Sequence, residues 1–136
     1  MLKINATELR VMLDKLSDPK RFAKASENAL FNASEMIASK AKVEHIFDSK
    51  SRKLEDAIFT EVEGLKSSIF VPVEGNLGVS YAPWIWYGKR TTSTGKTATW
   101  NGGRGDPFIE TAYIKYQNQF INEIESELTE EIEDYI

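Results

Sequence analysis

The sequence predicts an α+β fold: a small antiparallel sheet with a long helix from the N-terminal half and a long C-terminal helix packed on it. Three observations carry this. Apolar residues recur every three or four positions over 19–47 and again over 107–135, and each run opens on Asp-Pro (Asp18-Pro19, Asp106-Pro107). Between them, "SSIFVPVEGNLGVSYAPWIWYG" is rich in β-branched and aromatic residues and is broken by Gly75-Asn76 and Gly78, the texture of strand, turn and strand. At 136 residues the chain fits one domain with a sizeable core, and its 41% hydrophobic and 28% charged residues are ordinary for a globular protein.

Taken in order, Asn5 with Glu8 three positions on resembles a capping box, and Leu9, Met12, Leu13 and Leu16 follow at helical spacing, so a first helix is expected over about 6–17. Asp18-Pro19 starts the second, expected over about 19–47, in which Ala25, Ala29 and Ala33 form a thin stripe flanked by Phe22, Leu30, Met36 and Ile37. Leu54 to Ile58 fits a helical turn or the start of a strand, and periodicity does not separate the two. Strands are expected between about 55 and 87, with Ile69, Val71 and Val73 on one face and Pro72, which lacks an amide donor, marking either an edge strand or the free side of that strand. Residues 88–105 read as a long loop rich in Gly, Ser, Thr and Asn. Asp106-Pro107 then caps a helix over about 107–135, whose stripe is Ile109, Tyr113, Tyr116, Phe120, Ile124, Leu128, Ile132 and Tyr135.

The net charge of −4 conceals a separation of signs. Residues 1–53 carry eleven Lys or Arg against seven acids, residues 54–104 carry five of each, and residues 105–136 carry nine acids against Lys115 alone. The acidic helix is either a solvated face beside a basic helix or a surface turned to a partner. With no cysteine, disulfides, thiolate metal sites and a cysteine nucleophile are excluded. No apolar run approaches the roughly 18 residues of a membrane span, and the charged first twenty residues give no expectation of export, so Asn5-Ala6-Thr7 and Asn32-Ala33-Ser34 are read as chance glycosylation triplets.

Several stretches imitate known sites. Gly95-Lys96-Thr97 lacks the glycine five positions upstream that a phosphate loop needs, since Arg90 stands there, and "ATWNGGRG" cannot continue as a helix. Arg104-Gly105-Asp106 resembles an adhesion tag, but Asp106 is better read as a helix cap. His45, the lone histidine, makes neither a zinc site nor a triad, and at most bonds Asp48. No catalytic, cofactor-binding or metal-binding residues and no enzyme activity are expected. Lys89, Arg90, Lys96 and Arg104 around Trp100 would suit a small nucleic-acid-binding module.

The segments "SRKLEDAIF", "IFVPVEGNLGVSYAPWIWYGKRT" and "GDPFIETA", in this order, resemble the tail-completion or head-tail joining proteins of tailed phages, a family of minor tail components. The family pattern is met by Leu54 to Ile58, Ile69 to Val73, Tyr81-Ala82-Pro83 with Tyr87-Gly88, the loop 89–105 and Pro107-Phe108, about the last two thirds of the chain. It is departed from at Trp86, where an acid is usual, and at Asp48-Ser49, where Thr-Gly is usual. The resemblance implies a virion protein at the head-tail junction, assembled in the host bacterial cytoplasm. It would act as a ring of six copies around the DNA channel, contacting head-connector and tail-end proteins, with no cofactor and no membrane. In such a role Trp84, Trp86, Tyr87, Lys89, Arg90, Lys96, Trp100 and Arg104 would make subunit contacts. Of Trp84 and Trp86, one is expected to be buried and the other to face a neighbour. Glu123, Glu127, Glu130, Glu131 and Asp134 would line the channel and let DNA slide without specific binding.

Overall fold

The computed structural model describes residues 2–5, 19–48, 52–75 and 78–135. The helix expected over 6–17 lies outside them. In chain order the elements are strand β1 (Leu2–Asn5), helix α1 (Pro19–Val43), the one-turn helix α2 (Lys53–Asp56) and strands β2 (Phe59–Glu63) and β3 (Lys66–Phe70). There follow the short helix α3 (Ala82–Tyr87), strands β4 (Lys89–Thr91) and β5 (Thr97–Thr99), a 3-10 turn (Asn101–Gly103) and helix α4 (Phe108–Tyr135). The fold is α+β, with helices packed on a small antiparallel sheet.

Helix α1 is the hub. Leu30, Ala33, Ile37 and Ala41 are fully buried, the apolar stripe that the alanine spacing anticipates. Ser34 marks its sheet-facing side, where its hydroxyl and that of Ser67 on β3 lie 2.5 Å apart in a buried hydrogen bond. Asn32, Lys40 and Glu44 mark the side that runs antiparallel along α4, meeting Glu127, the Tyr116 ring and Lys115 respectively. This register carries the acidic end of α4 toward the end of α1 that bears Lys20 and Lys24. Within α4 the backbone departs from helical geometry at Tyr116 (φ −109°, ψ 20°), the residue whose hydroxyl donates to Glu44 Oε1 at 2.6 Å.

The three-stranded sheet has the order β1-β3-β2, with both pairings antiparallel. Strand β1 has no counterpart in the sequence reading; four residues are too few for a periodic signal. A two-residue turn at Gly64-Leu65 joins β2 to β3, and Gly64 holds the positive φ (+59°) that such a turn requires at its first central position. Ile69 and Val71 are fully buried and Val73 is half-buried.

Four expectations are corrected here. Of the two alternatives for the Pro72 strand the edge is not met, because β3 is central; it stops at Phe70, so the proline lies free of the ladder, and its carbonyl accepts the Val79 amide at 2.7 Å. The segment after Gly78 is not a strand. Residues 82–87 form α3, with Pro83 in its first turn and Gly88 as a left-handed C-cap (φ +72°). Helix α1 ends at Val43 rather than 47, because residues 45–47 are drawn off by tertiary partners described below. Residues 88–105 are not a structureless loop: β4 and β5 form an antiparallel hairpin whose register is Lys89 to Thr99, Arg90 to Ala98 and Thr91 to Thr97. Of the segment Leu54 to Ile58 that periodicity left undecided, Leu54 to Asp56 belong to α2, and the strand β2 starts just beyond it at Phe59.

Candidate functional site

The segments far apart in sequence that carry the family resemblance meet at the start of α4. Gly88, which ends α3, and Gly105, two residues before Pro107, interlock backbone to backbone. A Cβ added to Gly105 would lie 2.5 Å from both Gly88 N and Trp86 O, and one added to Gly88 would collide with Gly105 N. Both glycines have positive φ (+72° and +62°), so residue type is dictated twice at each, by conformation and by space. The Asp106 amide donates to Ile85 O at 2.8 Å, completing the lock.

Asp106 is 2% exposed, and its carboxylate does not cap its own helix as expected. Oδ2 instead accepts the amides of Ile46 (2.6 Å) and Phe47 (3.1 Å), the groups that an extension of α1 would have used. A buried carboxylate accepting two amides competes well with one more turn of helix. Phe47 and Trp86 then pack on Phe108, with centroids 5.0 and 4.9 Å away, and His45 stacks on Phe47 at 3.8 Å. The ring of His45 lies 2.9 Å from Phe47 O through Nδ1 and 3.7 Å from Glu55 Oε2 through Nε2, so Asp48 is not its partner. Glu55 is 1% exposed, with Arg52 at 3.8 Å from the same oxygen.

From this lock the hairpin projects. Its base is tied by Trp100, whose amide donates to Gly88 O (3.0 Å) and whose Nε1–H donates to Trp84 O (2.8 Å), and by Asn101 Nδ2 donating to Gly105 O (2.7 Å). Arg90 lies over the Trp84 ring, 4.9 Å from its centroid. Gly95-Lys96-Thr97, the imitation phosphate loop, is the hairpin tip and the entry to β5, with Gly95 at φ +81°.

The residues proposed for contacts therefore separate. Tyr87 is 63% exposed, Lys89, Arg90, Lys96 and Arg104 are exposed, and Trp84 and Trp100 are half-buried. Trp86 is in the core at 7% exposure and is withdrawn from the surface set. One tryptophan is indeed buried, but the cause is helical: two residues along α3 turn the side chain by about 200°. Among the acids, Glu123 and Glu130 are exposed, whereas Glu127 and Glu131 lie partly covered and Glu127 accepts a hydrogen bond from Asn32 (2.9 Å). The side chain of Asp134 lies outside the described residues. Glu125, which the spacing did not single out, is exposed beside them.

Sequence reasoning missed the tertiary role of Asp106, the Gly88–Gly105 contact and the cluster in which Glu44 Oε1 accepts from both Lys115 (3.0 Å) and Tyr116 (2.6 Å). That cluster holds the Glu44 carboxyl below its ordinary value, chiefly through the Tyr116 hydroxyl and then Lys115, and raises Tyr116 and Lys115, each chiefly through its hydrogen bond to Glu44. The only signal available for α3 was Pro83 near its start with Gly88 just after its end.

Comparison with protein-family models, with curated proteins and with solved structures finds no match to this chain.

Proposed function

We propose that this protein is a structural component of a tailed-phage virion that completes the tail and joins it to the head connector, as a ring of six copies around the DNA channel. The observation that carries the proposal is the ordered set of segments resembling that family, together with where they fall. Leu54 in α2, Ile69 in β3 with Val71 just after it, Ala82 in α3, and Phe108 at the start of α4 belong to one hydrophobic cluster. Tyr87-Gly88 and Gly105-Asp106 meet at the lock beside it. The intervening variable segment becomes a hairpin whose strands are largely exposed while Trp100 at its base packs against that cluster, a suitable arrangement for a scaffold that presents an adaptable contact arm. In this role the partners are other copies of the chain and the head-connector and tail-end proteins. DNA passes through without specific binding, along a wall to which Glu123 and Glu130 contribute repulsion toward phosphates.

The test is to delete the gene from the phage that encodes it and examine lysates by electron microscopy. Filled heads beside unattached tails are expected; normal joined particles overturn the proposal. A second reading, a small nucleic-acid-binding module, draws on the exposure of Lys89, Arg90, Lys96 and Arg104 around one hairpin. It is the weaker of the two, because Trp100 is half-buried against the core cluster and the Trp84 ring carries Arg90. DNA binding that weakens steeply with salt would favour it instead.

A further inference from the structure

Among the described residues the hairpin β4-β5 is covered little, its Arg90 resting over the Trp84 ring. All three residues of β4 are exposed, and in β5 only Ala98 is partly covered. A two-stranded ribbon this exposed is marginal by itself, and the outward backbone groups of an exposed strand can pair with another strand. Its charge is of one sign: Lys89 and Arg90 on β4 and Lys96 at the tip. Two such hairpins repel one another.

The molecule carries a second strand edge of the opposite sign. Strand β2 is one of the two outer strands of the three-stranded sheet, and among the described residues it pairs with β3 alone. Its residues alternate, with Phe59, Glu61 and Glu63 exposed and Thr60 and Val62 half-buried. Among the described residues no salt bridge within the chain engages Glu61, Glu63, Lys89 or Arg90. A carboxylate-bearing edge of five residues is long enough to take a three-residue basic strand.

We propose that β4 of one copy adds as a strand to β2 of a second copy, in the register that sets Arg90 on the face carrying Glu61 and Glu63. This is strand addition between identical chains, in which backbone bonds supply affinity and charge selects the edge. The two surfaces differ, so the contact is heterologous: each copy uses its hairpin on one neighbour and offers its β2 edge to the other. Contacts of this type close into rings or run on as filaments. The inference rests on the ring reading above and names the contact that would build it.

The chain has no cysteine, so an introduced pair reports without background. The full-length variants R90C and E61C, mixed and oxidised, are expected to give a disulfide-linked heterodimer that neither variant mixed with wild type gives. In sedimentation of the full chain, K89E/R90E and E61K/E63K should each weaken self-association by roughly tenfold, and the fourfold variant carrying both should regain it. The rescue separates a lost contact from a lost fold, which circular dichroism also monitors. A wild-type chain that stays monomeric, or an assembly indifferent to both reversals with no R90C–E61C link, overturns the proposed contact. The joining role is judged separately by complementing the gene deletion with these variants. Joining by a chain insensitive to every edge change removes the contact and leaves the role, whereas edge-dependent assembly in a phage that joins without the protein does the reverse.

Discussion

Replacing Gly105 by alanine tests the lock at the start of α4. The residue sits at φ +62°, where an L side chain costs about 1–2 kcal/mol. Its new Cβ would stand 2.5 Å from Gly88 N and Trp86 O and 2.7 Å from Ile85 O, all backbone atoms. Relief requires α3 and the hairpin base to move apart, and overpacking of this kind typically adds about 1–3 kcal/mol. The expected loss is therefore roughly 2–5 kcal/mol, a large share of the 5–15 kcal/mol typical of a domain. Gly95→Ala is the control: its φ is +81°, but no atom lies within 4 Å of the added Cβ, so only the conformational cost remains. Urea unfolding of both variants, compared by midpoint at equal m-value, reads the difference directly. If Gly105→Ala is destabilised no more than Gly95→Ala, the close approach does not hold α3 against α4 and the account of the lock is wrong.

Two further outcomes are expected. Ser34→Ala should cost about 1–3 kcal/mol by leaving the buried Ser67 hydroxyl without its partner, while the double change to alanine recovers much of that loss; equal losses in the single and double variants would show that the pair is not coupled. The Glu44 cluster makes stability depend on pH. The lowered Glu44 carboxyl contributes above its ordinary 4.5, and this is lost as pH falls through the lower folded value. The raised Tyr116 and Lys115 contribute below 10.0 and 10.5, and this is lost as pH rises through their raised values. Wild type should thus melt above Glu44→Gln at neutral pH, with the gap closing at both extremes; a gap unchanged across the range would refute the assignment.

The long helices were legible because their information is local and repeated. An Asp-Pro start and apolar spacing fix α4 within a residue, and the buried row along α1 follows from its alanines with Leu30 and Ile37. Short elements were not legible for the same reason. Six residues of "APWIWY" cannot display a helical period, and their aromatic content favours a strand until Pro83 and Gly88 are taken as start and stop. The hairpin hid behind the small polar residues that usually signal loops, although its threonines suit a strand.

For the candidate surface, the sequence by itself determined which charges and aromatics are available: the basic run from Lys89 to Arg104, the acids after Gly103 and the absence of any cysteine. Tertiary structure decided which of them reach the surface. Trp86 is drawn into the core by a helical turn, Asp106 leaves its own helix to hold Ile46 and Phe47, and Glu61 and Glu63 gain meaning only because β2 is an outer strand. The physical reason is range. Capping, turn chemistry and amphipathic spacing act over a few residues and can be read along the chain, whereas hydrogen bonds across about sixty residues, backbone contact between two glycines and the order of strands in a sheet exist only once the core has closed.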